Sequence, residues 1–272
     1  MTKFTVLGAS GFIGSRLVRK LAGDGFGVDT PARGDELSGD DLGHVAYCIG
    51  VTADFRTRLP ETVEAHVCHL ADVLRESRFE SFTYLSSTRV YQGGSSPAAE
   101  TDPLSIRPAD PDHLYNISKA LGEAMVLAAH PRTHVLRLSN VYGLDLDSQN
   151  FLGSVIRTAV KDGHVDLGTS LHSAKDYVSL DDVVELIVEI VVEGQHGIYN
   201  VAAGTNTTNR DILDTLMRAT GCTLSVSETA RTVVSPVIDV ARITREFGFK
   251  PRSVLEDLPA LVTEYAERVV QR

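Results

Sequence analysis

The chain has 272 residues, 43% of them hydrophobic, enough for one large α/β domain or for a large lobe joined to a small one. Its 26 basic and 36 acidic side chains leave a net charge of −10, which argues against duplex nucleic acid, since that binding depends on a basic surface. The best apolar candidate for a membrane span, Val183 to Val192, is interrupted by Glu185 and Glu189. A strand entered by Lys3 leaves no room for a signal peptide, so a cytoplasmic location is expected. Cys48, Cys68 and Cys222 are too scattered for a disulfide framework and read as buried thiols. His66-Val-Cys68-His69 has no second ligand cluster to complete a metal site, so no metal is expected.

In chain order, Lys3 to Leu7 reads as a short apolar strand. Ile13 to Ala22 reads as an amphipathic helix with Ile13, Leu17, Val18 and Leu21 on one face. The stretch 34–43 is polar and glycine-rich, and its ten residues reach about 33 Å when fully extended. Val45 to Gly50 is a buried strand. Pro60 to Ser77 is a helix with proline in its first turn. Phe82 to Leu85 is a strand ending at Ser86-Ser87, and Asp112 to Ala129 is the next helix. His134 to Leu138 is a strand, 178–192 becomes a helix after a Ser-Leu-Asp-Asp entry, and Gly197 to Val201 is a further strand. This alternation implies a parallel sheet covered by helices.

Four motifs lie along this frame. Gly8-x-x-Gly11-x-x-Gly14 follows the first strand and opens the first helix, where free N–H groups and the positive dipole end suit a pyrophosphate. Ser86-Ser87-Thr88-Arg89-Val90-Tyr91 ends a strand. Tyr115 and Lys119 lie one helical turn apart, and Arg137-Leu-Ser-Asn140-Val-Tyr-Gly143 follows. A phenol has an unperturbed pKa of ~10, and the neighbouring ammonium is expected to bring Tyr115 toward working pH.

In that order, from residue 3 to about residue 258, the motifs resemble the extended short-chain dehydrogenase/reductases, which include nucleotide-sugar epimerases, dehydratases and ketoreductases. The resemblance implies a Rossmann-type doubly wound parallel sheet with a small discontinuous C-terminal substrate lobe. The cofactor lobe would be residues 1–140 plus about 177–200, and the substrate lobe 141–176 and 201–272. Cofactor contacts would come from Gly8, Ser10, Gly11, Phe12, Ile13 and Gly14, with Tyr115 and Lys119 at the nicotinamide end. Ser87, Tyr115 and Lys119 would be catalytic, with Ser87 holding the reacting oxygen and Tyr115 moving the proton.

The second strand of NAD-preferring relatives ends in an acidic residue. Counting from Gly8, that position falls on Ala32, followed by Arg33, while Asp29 stands too early. Arg33 resembles the arginine of NADP-using members, so of NAD and NADP the sequence leans to NADP. Relatives usually place a helix, a strand and a helix where this chain has only 34–43. The sheet is therefore expected to lack its outer strand on that side, with Asp40-Asp41-Leu42 as a remnant of the contact near the adenine.

Sugar 4,6-dehydratases of this family carry Asp-Glu where this chain has Thr88-Arg89. Without the carboxylates, reversible hydride transfer remains, by a 4-ketoreductase or an epimerase. The resemblance implies a nucleotide-sugar substrate met by Thr88, Asn140, Asn150, Lys175 and Arg231. Lys175 stands where relatives usually carry arginine, and Asn150 is expected to open a helix. His66, usually asparagine in relatives, reads as a structural histidine, and His113 is not assigned a role. A homodimer through the Tyr115 helix and the 60–77 helix is expected. The alternatives are a reductase of a non-sugar carbonyl and a non-catalytic dinucleotide sensor, for which the complete Ser-Tyr-Lys set would be superfluous.

Overall fold

A computed structural model describes residues 2–37, 39–51 and 54–270. Its centre is a six-stranded sheet built from β1 (Lys3–Leu7), β2 (Gly27–Asp29), β3 (His44–Tyr47), β4 (Ser81–Ser87), β5 (Thr133–Leu138) and β9 (Gly197–Val201), in the order β2-β1-β3-β4-β5-β9. Every pairing in it is parallel. The chain steps from β1 outward to β2, then crosses back to β3 on the other side of β1. The switch point therefore lies between β1 and β3, where an open α/β sheet leaves a crevice at its C-terminal strand ends.

Two apolar layers cover the sheet. On one face α1 (Phe12–Gly23) and α6 (Leu180–Glu193) bury Leu17, Leu21, Val183, Ile187 and Ile190 against Phe4, Val6 and Leu136. On the other, α3 (His69–Glu76) and α4 (His113–Ala129) bury Leu70, Val73 and Val126 against Val45, Tyr47, Phe82 and Tyr84. The strands read as near-continuous apolar runs because both faces are covered. A separate core gathers α5 (Phe151–Asp162), β7 (His164–Thr169), α7 (Asn209–Thr220) and α9 (Val254–Val270) around Leu152, Ile156, Leu213, Leu216 and Leu258. Beside it, β10 (Asn206–Thr208), β8 (Ala174–Ser179) and β6 (Asn140–Tyr142) form a small sheet, and β11 (Thr223–Arg231) pairs with β7. The short α8 (Ala241–Phe247) precedes α9.

Several elements differ from the sequence expectation. The helix expected over 60–77 is α2 (Leu59–Val63), a π-helical turn (Glu64–Cys68) and α3. A π turn loosens the carbonyl ladder, and here two phenols take up the slack: Tyr47 donates to Ala65 O at 2.7 Å and Tyr84 to His66 O at 3.4 Å. The extra residue turns His66 inward, fully buried, and leaves Cys68 exposed rather than buried. Cys48 lies just past β3 and is half-buried, so of the three thiols only Cys222 is fully covered. Val178 lies within β8, which ends at Ser179; α6 begins at Leu180, with the Ser179 hydroxyl accepting from Asp181 N–H. The described residues of 34–43 add no strand to the sheet. Their one isolated bridge, Asp41 to Arg78, lies just before β3 and β4, and three-residue β2 is left as the border. Among the described residues no helix is long and apolar enough to cross a membrane.

Candidate active site

The turn after β1 is built for close approach. Gly8 has φ +85°, and a Cβ there would stand 3.0 Å from the backbone of Cys48 and Ile49. A Cβ on Gly14 would fall 2.2 Å from Gly8 O, so α1 can start this near the strand only with hydrogen at that position. Gly11 caps α1 without a side-chain hydrogen bond, and the first turn holds no acidic residue. The leading N–H groups and the dipole of α1 thus face Ser10 and Gly11, both exposed, without an internal counter-charge. Phe12 and Ile13 are half-buried behind them.

Beyond β2 the surroundings turn acidic. A shallow hollow of about 510 Å³ is lined by Asp29, Thr30, Pro31, Asp35, Glu36, Leu37 and Asp40. Asp29 pairs with Lys3 at 2.9 Å, and Asp35 accepts the Ala32 N–H at 2.8 Å. Arg33 is exposed and lines no part of this hollow. Of the carboxylates that the shortened 34–43 segment brings here, Asp40 was expected near the adenine, whereas Asp35 and Glu36 were given no role from the sequence.

The reacting end lies where β3 and β4 finish. Gly50, just after β3, adjoins both Lys119 and His66, since a Cβ there would be 3.5 Å from Lys119 Nζ and 3.3 Å from His66 Nε2. Lys119 is buried on α4, donates to Leu85 O at 2.8 Å, and lies 4.7 Å from the centre of the Tyr84 ring. Desolvation pushes its pKa down to about 7, against the opposing charge of Glu123 one turn later. Tyr115 is 5% exposed, and its phenol is hydrogen-bonded by the Ser87 side chain. Burial raises its pKa, while Ser87 and the Arg89 charge pull the other way. The Lys119 ammonium donates to the Leu85 carbonyl, and the Arg89 charge, given no role from the sequence, acts on Tyr115.

Two rings enclose the phenol. His66 meets Tyr115 edge-on at 5.3 Å, and Phe55 lies 5.1 Å away on its other side. His66 Nδ1 is 2.9 Å from Ser118 Oγ, and Nε2 accepts from Val51 N–H at 3.3 Å, so both ring nitrogens are engaged. Burial and the Lys119 charge push its pKa down to about 2, keeping it neutral. His66 is structural, as its position suggested. Phe55 closes over the group. A larger cavity of about 870 Å³, running from Ser10–Phe12 to α9, includes none of Ser87, Tyr115 and Lys119.

Beneath Ser87 a buried ion pair holds the strand ends. Arg137 Nη2 donates to Glu123 Oε2 at 2.7 Å, and Ser86 Oγ to Glu123 Oε1 at 2.5 Å. Arg137 Nη1 also reaches Tyr91 OH at 2.7 Å, whose hydroxyl donates to Asn200 Oδ1. Thr88 and Arg89 follow in a 3₁₀ turn over 88–91 and are half-buried, with Arg89 N–H donating to Ser87 Oγ at 3.2 Å.

The remaining sequence candidates are divided. Asn140 is exposed, and its amide donates to Asp176 O at 2.8 Å. Asn150 opens α5 as expected, but its Oδ1 accepts Gly153 N–H at 2.8 Å and serves as the cap. Lys175 on β8 lies 5.6 Å from the Phe151 ring centre, with burial and the Arg89 charge both lowering its pKa. Arg231 ends β11 on the exposed surface. Two neighbours of the phenol received no role from the sequence, Phe55 and Arg89. The signals were a lone aromatic in the polar stretch Asp54-Phe-Arg-Thr and a cation directly behind the serine.

The fold and the order of these motifs define a short-chain dehydrogenase/reductase of the extended type. More narrowly, the chain belongs to the NAD dependent epimerase/dehydratase family, whose profile matches residues 42–202. It is 28% identical to the dTDP-glucose 4,6-dehydratase of Streptomyces griseus, over 97% of this chain and 94% of that protein. MoeE5 in complex with UDP-glucose and NAD superposes with a TM-score of 0.79 at 23% identity, covering 98% of this chain and 99% of that one. RMD from Pseudomonas aeruginosa complexed with NADPH gives a TM-score of 0.79 at 21% identity, covering 98% and 100%.

Proposed function

We propose that this enzyme transfers hydride reversibly at a ring carbon of a nucleotide-activated sugar, as an epimerase that retains NAD. The observation carrying the reading is the grouping of Ser87, Tyr115 and Lys119 at the strand ends adjoining the glycine turn. Bound NAD would accept and return the hydride. Tyr115 would take the proton from the sugar hydroxyl as hydride leaves and restore it as hydride returns, with Ser87 orienting the same oxygen. Lys119, buried beside Gly50, is suited to hold the nicotinamide ribose. Thr88-Arg89 offers neither acid nor base for removing water, so the likeness to a dehydratase does not extend to that step.

Among the two dinucleotides, the acidic hollow beyond β2 supports NAD. A 2′-phosphate there would face Asp29, Asp35, Glu36 and Asp40, whereas a 2′-hydroxyl can donate to a carboxylate. This displaces the lean to NADP that rested on Arg33, which stands outside the hollow. Lys175 and Asn140 remain our candidates for the substrate side. Separate apolar cores support dividing the chain into a cofactor lobe (1–140 with about 177–200) and a substrate lobe (141–176 and 201–272). Exposed Leu59 on α2 and Leu121 on α4 support a homodimer across those helices.

The test is turnover of UDP- and dTDP-sugars by Tyr115→Phe. We expect a loss of at least about 100-fold in turnover with an unchanged melting curve. An unaltered rate would reject the assignment. Heat-released cofactor from purified protein should be NAD; an empty site that takes up NADPH would point to a reductase instead.

A further inference from the structure

We infer that Arg89 recognises a carboxylate on the sugar ring, making the substrate a nucleotide uronic acid. This rests on the reading above and narrows it. The Arg89 backbone is fixed two residues from Ser87 by the hydrogen bond from its N–H, and its guanidinium reaches the Phe55 ring that also packs on Tyr115. That guanidinium is under-used. Its Nε is buried without a partner, and Nη2 makes only a 3.5 Å contact with Asp112 O. Its Cζ lies 5.1 Å from the Phe55 ring centre.

Among the described residues no carboxylate forms an ion pair with it. Asp112 and Asp110 favour its charge only from a distance, since Asp112 is bonded to Arg56 at 2.5 Å and Asp110 faces His113 at 3.8 Å and Arg107 at 4.0 Å. Other cations crowd it: the Arg56 charge lowers its pKa, and its own charge lowers that of Lys175. This half-buried guanidinium carries five donors in a planar fork that matches a carboxylate in two parallel bonds. Leaving it without an anion costs more than leaving a neutral donor unpaired.

A diphosphate on Lys175 would neutralise one of the two cations. The second stands next to Ser87 and Tyr115, where the sugar ring must lie, so the missing anion belongs to the ring. A ring hydroxyl could accept from Nε but would leave the charge unanswered. Phe55 lies against both Arg89 and Tyr115, so moving it aside to admit a sugar to the phenol also uncovers the guanidinium.

The experiment is calorimetric titration of NAD-loaded protein with glucuronate, glucose and no sugar, each on UDP and on dTDP. Wild-type protein should bind the uronate roughly 10- to 100-fold more tightly than the hexose on the preferred nucleotide. In Arg89→Gln that ratio should fall toward one, with the nucleoside diphosphate alone changing by less than about twofold. Arg89→Lys should retain part of the preference. Equal affinity of wild-type protein for uronate and hexose would overturn the inference, even if Arg89→Gln fails to fold. So would an Arg89→Gln loss as large for the free diphosphate as for the uronate, since the guanidinium would then serve the phosphates. Failure of every nucleotide and nucleotide sugar to bind would instead refute the function on which the inference rests.

Discussion

The two ends of the cofactor groove are built in opposite ways. At the reacting end, β3, β4 and α4 bury a phenol, an ammonium and a neutral imidazole, and tie the strand ends together through Glu123 and Arg137. At the adenosine end, β2 is a three-residue border, and the segment behind it returns through a single bridge, with exposed carboxylates around a shallow hollow. Position is held by buried, mutually bonded groups where atoms react. At the other end the charges are solvated and can change without repacking anything.

That contrast can be broken most severely at Glu123. Removing its charge with Glu123→Gln leaves Arg137 as an uncompensated buried cation, and we expect a loss of about 3–5 kcal/mol in urea unfolding. The double variant Glu123→Leu with Arg137→Met should recover most of it, because the charge and its counter-charge leave together. A loss below about 1 kcal/mol for Glu123→Gln would show that the reacting end does not depend on this pair.

A smaller effect is expected from pH. The folded His66 pKa of about 2 lies well below the ordinary 6.5, by burial first and the Lys119 charge second. Between those values the unfolded chain binds a proton that the folded one excludes. The stabilisation is therefore complete above pH 6.5 and is lost as pH falls toward about 2. Melting curves at pH 7.5 and 5 should show His66→Asn losing about 2 kcal/mol less than wild type over that interval. Burial also lowers the pKa of His44 and His134, so the decline should be reduced rather than abolished.

The smallest structural effect belongs to the adenosine end. Asp35→Asn with Glu36→Gln should change stability by no more than about 0.5 kcal/mol, since both side chains are solvated. The ratio of NADP to NAD affinity should rise roughly tenfold as the repulsion is removed. An unchanged ratio, measured by cofactor fluorescence, would show that the hollow does not receive the ribose.

Much of this was legible before any coordinates, and the reason is spacing. Gly8, Gly11 and Gly14 announce a tight strand-to-helix turn because the requirement for hydrogen at the Cβ position is local. Tyr115 and Lys119 announce one helix face for the same reason. Missing residues between Arg33 and His44 foretold the bare sheet edge. What was missed is of another kind. The Lys119 charge was assigned to Tyr115 from helical proximity, and the fold adds the Arg89 charge and a carbonyl partner on β4 for the ammonium. Cys68 was taken as buried because an ordinary α-helix was assumed where a π turn shifts the register. Asn150 was read as opening a helix, and only the fold shows its side chain closing that helix's first turn.

Taken alone, the amino-acid order determined an α/β chain with a nucleotide turn, a Ser-Tyr-Lys set and no carboxylates behind the serine, since each depends on neighbours within a few residues. Folding decided which charges meet. Arg89 beside Tyr115 and Phe55 against both come from segments distant in sequence. Electrostatic interaction depends on separation through space, which local order does not specify.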